Sequence, residues 1–349
     1  MSRPVPTRTR RRTRRRTRRG TPTRRPATPL PTRRPTNPPR AGPPGRRVAG
    51  RRCRAGTRSC SAARASEATA AVRLTALNIH PVKSTAIRPV DTASVGLGGL
   101  TGDRTWVVVD DDGVMVSARE VHALFAVTAD TPDTDAGLTR ALRLRTADLP
   151  DLLLDAPTGE SVRAKVFSNE LRGIPAGPGA DAWVQKALGR DDLHLLWCDD
   201  PTRRTLNPAF SSPGDFTAYA DGYPVTIASE ASMRRLNDWI AEGALDRGEE
   251  PPAPLPISRF RPNLVVDGEE PFAEDDWSQV TIGEVRFRVA KPTDRCVMTT
   301  IDVESLRTDK EPIRTLARHR LVEHKTLFAV HLIPETTGRI SVGDAVDVR

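Results

Sequence analysis

The stretch "WSQVTIGEVRFRVAKPTDRC", residues 277–296, carries much of what decides the fold. Gly283-Glu284 reads as a turn, and beyond it Val285, Phe287 and Val289 alternate with Arg286 and Arg288. A period of two beside a short turn predicts an antiparallel hairpin with one face in a core. The second arm runs into Arg295 and Cys296, and Cys296 is one of four cysteines in 349 residues. Residue types alone leave Cys296 three readings. It is a small buried hydrophobe, the commonest fate of a free thiol; or a nucleophile, which needs a base from elsewhere in the fold; or a metal ligand, whose thiolate form the adjacent Arg295 cation favours.

Short apolar runs with polar turns fill the chain on either side. "AVRLTALNIHPVKS" begins the ordered part, with Leu74, Ala76 and Asn78 alternating against Thr75, Leu77 and Ile79 until Pro81 ends the strand. "RPVDTASVGL" reads as one strand, and "TWVVVDDDGVMVSAR" as a hairpin turning at Asp112-Gly113. "ALRLRT", "DLLLDA", "SVRAKVF" and "LHLLWC" are further short strands. Helices are predicted over "DAWVQKALG", closed by Gly189, over "SEASMRRLNDWIAEG", capped by Ser229 and closed by Gly243, and over "EPIRTLARHR", with Pro312 in its first turn. "TLFAVHLIP" and "ISVGDAVDV" read as closing strands. The expected fold class is mainly β (α+β) with a few helices, of the barrel or sandwich kind.

Charge divides the chain sharply. Residues 1–60 hold 21 Arg and no Lys, Asp or Glu; against a whole-chain charge of +10 this leaves −11 for residues 61–349. With its prolines, residues 1–70 read as a disordered Arg/Pro-rich tail, a spacer, a transit-like segment or translation upstream of the natural start. Nucleic acid is a partner only through this tail, by counterion release. No apolar window approaches membrane-spanning length, so no membrane span is expected. Cys53, Cys60, Cys198 and Cys296 have neither disulfide-framework nor zinc spacing, which points to a reducing, cytoplasmic setting. They also exclude a four-cysteine iron–sulfur cluster in the folded part. The chain has no dinucleotide fingerprint, P-loop, HExxH or nucleophile-elbow motif.

Cations recur at strand ends in this acidic body. Lys83 and Ser84 stand in "HPVKS", Arg104 in "GDRTW", and Arg259, Arg261 and Asn263 in "SRFRPN". Converging, they would suit a phosphate or a polar heterocycle: Arg binds oxygens in pairs, Lys acts as a point charge, and Ser adds one bond. Unconverged, they are unrelated surface charges.

These segments together resemble the MOSC family (molybdenum cofactor sulfurase C-terminal domain). The matching blocks run in family order: "IHPVKS" (79–84), "GLTGDRTWVVVDDDGVMVSAR" (99–119), "DGYPVTIASEASMRRLN" (221–237), the stretch from "RFRPN" to "TTIDVES" (259–305), "EPIRTLARHR" (311–320) and "ISVGDAVDV" (340–348). The branch looks like that of the mitochondrial amidoxime-reducing component and its bacterial relatives. The resemblance implies a MOSC N-terminal β-barrel domain over 72–190, a MOSC domain over 195–349, and a molybdenum-molybdopterin cofactor between them. It implies Cys296, in R-C-x-x-T-T, as molybdenum ligand and catalytic residue. Lys83, Ser84 and Arg104 would hold the cofactor phosphate or pterin, with Arg261, Asn263 and Arg295 as further cofactor-binding residues. The implied reaction is reduction of small N-hydroxylated or N-oxide substrates. Electrons would come from a separate ferredoxin, flavin or cytochrome type donor protein, since no cysteine follows Cys296. The alternative is a cofactor carrier or a sulfur-transfer protein using a Cys296 persulfide. The family resemblance also implies pyridoxal phosphate binding; no pyridoxal-phosphate lysine domain is present to generate persulfide sulfur, so a partner would have to supply it. Asp221 is a guess for the substrate pocket. Asp294 stands where relatives often carry Ser, and no role is assigned to it.

Overall fold

The computed structural model describes residues 72–349; the readings placed on the Arg-rich tail, Cys53 and Cys60 lie outside them. The Gly283 turn forms as expected. Gly283 has φ 54°, a left-handed value that costs glycine little, and Ile282 pairs with Val285 across it. The hairpin strands Gln279–Ile282 and Val285–Asp294 belong to a nine-stranded sheet. The order across it is Val346–Val348, Gln279–Ile282, Val285–Asp294, Lys325–Pro334, Val225–Ser229, Leu264–Val266, Leu74–Ile79 and Arg88–Pro89; Leu321–Val322 adds to Lys325–Pro334. Val225–Ser229 and Leu264–Val266 pair in parallel and the other pairs are antiparallel. Helix Glu230–Asp246 makes the crossover that a parallel pair requires.

Smaller sheets surround this one. One orders Trp106–Asp110, Leu193–Trp197, Asn169–Pro175 and Val162–Val166; another Gly338–Ser341, Thr92–Gly96 and Gly99–Leu100; a third Thr128–Asp130, Leu142–Arg145 and Leu152–Leu154. The fold is mainly β as expected, and among the described residues the bonded strands form open sheets without a closed barrel. The main core gathers Leu74, Leu77, Ile79, Val225, Ile227, Leu264, Phe287, Val330 and Leu332 between the large sheet and its neighbours. A second core packs Trp106, Val108, Leu142, Leu144, Leu193 and Leu195 against helix Pro178–Leu188.

Several local readings change. A bulge between Leu74 and Ala76 shifts the phase of the first strand, so Leu74 and Leu77 share one core instead of opposite faces. "RPVDTASVGL" is two strands in different sheets, broken at Val90–Asp91. "ISVGDAVDV" likewise splits at Gly343, φ 94°, between two sheets. The Trp106 hairpin turns where expected, but the main partner of Trp106–Asp110 is Leu193–Trp197; Met115 returns only a single bridge to Val109. Lys325–Pro334, read as a closing strand, lies in the middle of the large sheet with most of its residues buried. Ser229 Oγ caps the long helix through Ala231 N at 3.1 Å. Gly243 does not close that helix: it is buried within it, where the Arg247 and Arg318 guanidinium groups pass close by, and the helix runs on to Asp246.

One cation cluster is purely internal. Asp130, with no exposed side-chain surface, accepts from Arg143 Nη2 and Arg145 Nη2 at 2.8 Å each. Arg88 Nε lies 2.6 Å from its other oxygen, bent too far for a good hydrogen bond but in full ionic contact. Burial pushes the Asp130 carboxyl up; the hydrogen bonds from Arg143 and Arg145 outweigh it and hold the pKa below the usual range.

Candidate functional site

Lys83 and Ser84 follow the first strand, Arg104 precedes Trp106–Asp110, Arg261 precedes Leu264–Val266, and Arg295 and Cys296 follow Val285–Asp294. Because those strands share or flank one sheet, their ends meet. Lys83, Ser84, Arg104, Arg261, Arg295 and Cys296 all line one cavity, with Asp221, Arg259, Met298 and His331. Its enclosed space is about 110 Å³, and the cleft continues outward into solvent. Ser84, Arg104 and Arg261 have φ of 70°, 49° and 51°. Left-handed backbone at a residue with a Cβ costs on the order of 1 kcal/mol, and such strain gathers where side chains must be aimed.

Lys83 is buried; its Nζ donates to Tyr219 O at 2.9 Å and to the Asp221 carboxylate. Burial pulls the Lys83 pKa below its ordinary value against the pull of Asp221. Burial raises Asp221, while the Lys83, Arg104 and Arg119 charges carry it well below the carboxylate range. The Asp221 side chain is 61% exposed, although protein atoms crowd round it, so water in the cleft screens this pair and it adds little to stability.

Behind Arg104 sits an inner layer. Arg104 Nη1 donates to Asp103 and, at 3.2 Å, to Asn263 Oδ1. Asp103 Oδ1 accepts from His80 N at 2.7 Å and His80 Nδ1 at 3.1 Å, which places the ring proton on Nδ1. Burial, then the Arg104 and Arg261 charges, lower His80 to about 3. Burial works against the Asp103 carboxylate, but Arg104 and His80 outweigh it and hold it at about 2. Asn263 is 1% exposed, and its amide joins Thr226 N and Asn78 O. It therefore orients Arg104 from behind instead of lining the cavity.

The remaining arginines are the informative ones. Both terminal nitrogens of Arg261 are buried without a partner, as are Nε and Nη1 of Arg259 and Nη2 of Arg295. Arg261 stacks on Phe125, 5.3 Å to the ring centre. Arg259 keeps one bond, to Asp302 at 2.7 Å. Arg295 donates to Phe328 O at 2.7 Å and Phe260 O at 3.2 Å, so backbone carbonyls fix its plane. Burial lowers Arg261 to about 9 and Arg295 to about 10, so both stay charged at neutral pH. Each unsatisfied buried donor costs about 1–3 kcal/mol, and a bound anion would remove that cost.

Cys296 is partly buried and opens the 3₁₀ turn Val297–Thr300; its carbonyl accepts from Thr299 N at 3.2 Å and Thr299 Oγ1 at 3.0 Å. The R-C-x-x-T-T spacing thus builds a turn that fixes the cysteine backbone at the cavity wall. His331 also lines the cavity, with Nδ1 3.2 Å from Thr226 Oγ1. Burial, then Arg295 and Lys291, lower it to about 3. The sequence signal for His331 is a polar ring inside the apolar run "TLFAVHLIP". Asp294 is exposed at the cavity edge.

Comparison with known proteins agrees with this picture. Family models match twice: "MOSC N-terminal beta barrel domain" over residues 71–191 and "MOSC domain" over 216–347. Mitochondrial amidoxime-reducing component 1 of Homo sapiens is 31% identical over 288 residues, 77% of this chain and 80% of that protein. The chain belongs to the MOSC family. Mitochondrial amidoxime reducing component 2 of Bos taurus is 32% identical over 77% of this chain and 80% of its own length. Molybdenum cofactor sulfurase of Anopheles gambiae is 31% identical over 70% of this chain but only 32% of that longer protein. In this MOSC protein Lys83, Ser84 and Arg104 come from the first matched segment and Asp221, Arg261 and Cys296 from the second, so both segments wall the cavity.

Proposed function

We propose that this protein is a molybdenum-cofactor-dependent oxidoreductase that reduces N-hydroxylated or N-oxide compounds with electrons from a separate donor protein. The observation that carries the reading is a cavity walled by Lys83, Arg104, Arg259, Arg261, Arg295 and the partly buried Cys296, with arginine nitrogens beneath its surface left without partners. That donor set fits an anionic, phosphate-bearing cofactor with a soft metal centre. Bound there, a molybdenum-molybdopterin cofactor would supply a centre able to exchange two electrons and accept oxygen. Cys296 would be its protein ligand. Arg261, Arg259 and Arg295 would bind its oxygens, with Lys83, Ser84 and Arg104 beside them and Asn263 holding Arg104 in place. Asp221, held at the wall by Lys83, would orient the polar N–O group of the substrate. The overall change takes up two electrons and two protons and releases water, with the protons arriving as the electrons do. The relatives named as amidoxime-reducing components support the substrate class.

Among the described residues Cys198 and Cys296 are free, in keeping with a reducing compartment such as the cytoplasm, and no helix there is long and apolar enough to cross a membrane. The test is Cys296→Ala in metal-loaded protein, assayed on benzamidoxime with a chemical reductant. Activity is expected to vanish while the unfolding midpoint stays within a degree or two; full activity would sink the mechanism. The sulfurase relative favours a second reading, in which Cys296 carries a persulfide. Mass spectrometry of Cys296, set against molybdenum content, separates the two.

A further inference from the structure

Outside the cofactor residues, the surroundings of the cavity carry a feature that the proposed chemistry leaves unused. The hairpin of strands Val162–Val166 and Asn169–Pro175 turns through Phe167 and Ser168. Phe167 holds φ 55°, a left-handed value that is unusual for an aromatic residue. Its ring meets two cations: Lys83 Nζ, 5.1 Å from the ring centre, and the Arg119 guanidinium carbon, also at 5.1 Å. Lys83 lines the cavity, and Phe167 and Arg119, which do not line it themselves, stand next to its Lys83–Asp221 wall. The Arg119 charge also reaches Asp221, the exposed carboxylate of the cavity wall.

Arg119 is exposed, yet its base is rigid. Ser117 and Ala118 before it are buried, and Glu120 Oε2 accepts from Ser117 N at 2.8 Å and Ser117 Oγ at 2.6 Å, locking the turn. Val121 N donates back to Ser117 O at 3.0 Å. Among the described residues the Arg119 side chain stacks on Phe167 and meets no carboxylate or carbonyl at hydrogen-bond distance. The pairings differ elsewhere on this surface: Arg163 is held by Glu170, Arg203 by Asp199 and Arg247 by Glu249. Arg119 thus keeps its fork of donors free next to the Lys83–Asp221 wall, with its guanidinium against the Phe167 ring. A planar guanidinium in that state matches a carboxylate in two parallel bonds.

We propose that Arg119 is a specificity determinant: it selects N-oxygenated substrates that carry a carboxylate remote from the N–O group. This rests on the reductase reading of the cavity. The two ends of such a substrate meet different partners, the N–O group at the Asp221–Lys83 pair and the carboxylate at Arg119. Phe167 spaces these partners, since its ring touches both cations. Neutral substrates use only the inner partner.

The experiment compares benzamidoxime with 4-carboxybenzamidoxime in metal-loaded wild type, Arg119→Gln and Arg119→Lys, using a chemical reductant. In Arg119→Gln, kcat/KM for the carboxylated compound is expected to fall about tenfold, or about 1.4 kcal/mol, through KM. Benzamidoxime turnover stays within about twofold. Arg119→Lys, which keeps the charge but loses the fork, recovers only part of the loss. Equal losses on both substrates, or no loss on either, overturn the proposal, because a structural role would move both. If wild type reduces neither compound, the reductase reading falls, and calorimetric titration of the same two compounds into the protein decides the Arg119 claim by itself. A carboxylate-specific affinity that drops about tenfold in Arg119→Gln upholds it. Equal affinities in the two proteins, or no binding to wild type, overturn it.

Discussion

Two groups of arginines in this protein look alike in sequence and differ in what they face. Arg88, Arg143 and Arg145 converge on the buried Asp130 carboxylate, which supplies their counter-charge. Arg259, Arg261 and Arg295 converge on a cavity and leave five buried nitrogens without partners. The first cluster carries its own counter-ion and ties short strands together. In the second only Arg259 has a carboxylate partner, Asp302, and Arg261 and Arg295 await an anion from outside. Buried positive charge marks a binding site when its counter-ion is missing from the chain, and marks architecture when it is present.

The comparison breaks most visibly at Asp130. Asp130→Asn removes the shared anion from three arginines and is expected to cost about 3 kcal/mol in urea unfolding. The low end of the usual range applies because the arginines stay 24–38% exposed and can be rehydrated. A loss below about 1 kcal/mol would show that the cluster is merely a surface network.

The cavity is expected to show its uncompensated charge through pH. Burial and neighbouring cations hold native His80 and His331 at about 3, against 6.5 for an ordinary histidine. The unfolded chain therefore takes up two protons below about pH 6.5 that the native chain refuses. Their contribution to stability is full above about pH 6.5 and declines as pH falls towards about 3. Each histidine adds a slope of up to about 1.4 kcal/mol per pH unit. His331→Gln should remove one such increment between pH 6 and pH 5, and an unchanged slope contradicts the burial argument.

The smallest effect sharpens the contrast from the other side. Arg261→Met, unlike Asp130→Asn, should leave the stability of the ligand-free protein equal or higher by about 1 kcal/mol, since it removes unsatisfied buried donors. Wild type should gain about 1.4 kcal/mol at a tenfold excess of inorganic pyrophosphate over its Kd. The variant should gain almost none, and an undiminished gain would place the anion elsewhere.

Much of the candidate site was legible in the sequence because its residues sit in short ordered blocks at strand ends. "HPVKS", "GDR", "RFRPN" and "RCVMTT" deliver ten lining residues. Asn263 was legible as a polar residue of that set, but its place behind Arg104 depends on three strands meeting. His331 was not legible, since its importance comes from Arg295 and Lys291 across the strand pairing. The helices and the Gly283 hairpin followed from period and turn chemistry. Strand partners did not, because alternation carries no information about which strand lies alongside. Hence Lys325–Pro334 read as an ending and proved central. The bulge at Leu74–Ala76 and the break at Gly343 shift phase by one residue or change sheets, and side-chain periodicity fails at such points.

The strand order of the large sheet also bears on when the protein can be filled. Leu74–Ile79 waits for Leu264–Val266, and Val285–Asp294 waits for Lys325–Pro334. Lys83 and His331 face the same cavity from nearly opposite ends of the described chain. During synthesis, the early wall leaves the ribosome long before the late one exists. Such distant pairing also closes slowly. The binding chamber therefore exists only once Lys325–Pro334 has been made and paired, and its ligand has to enter after that step.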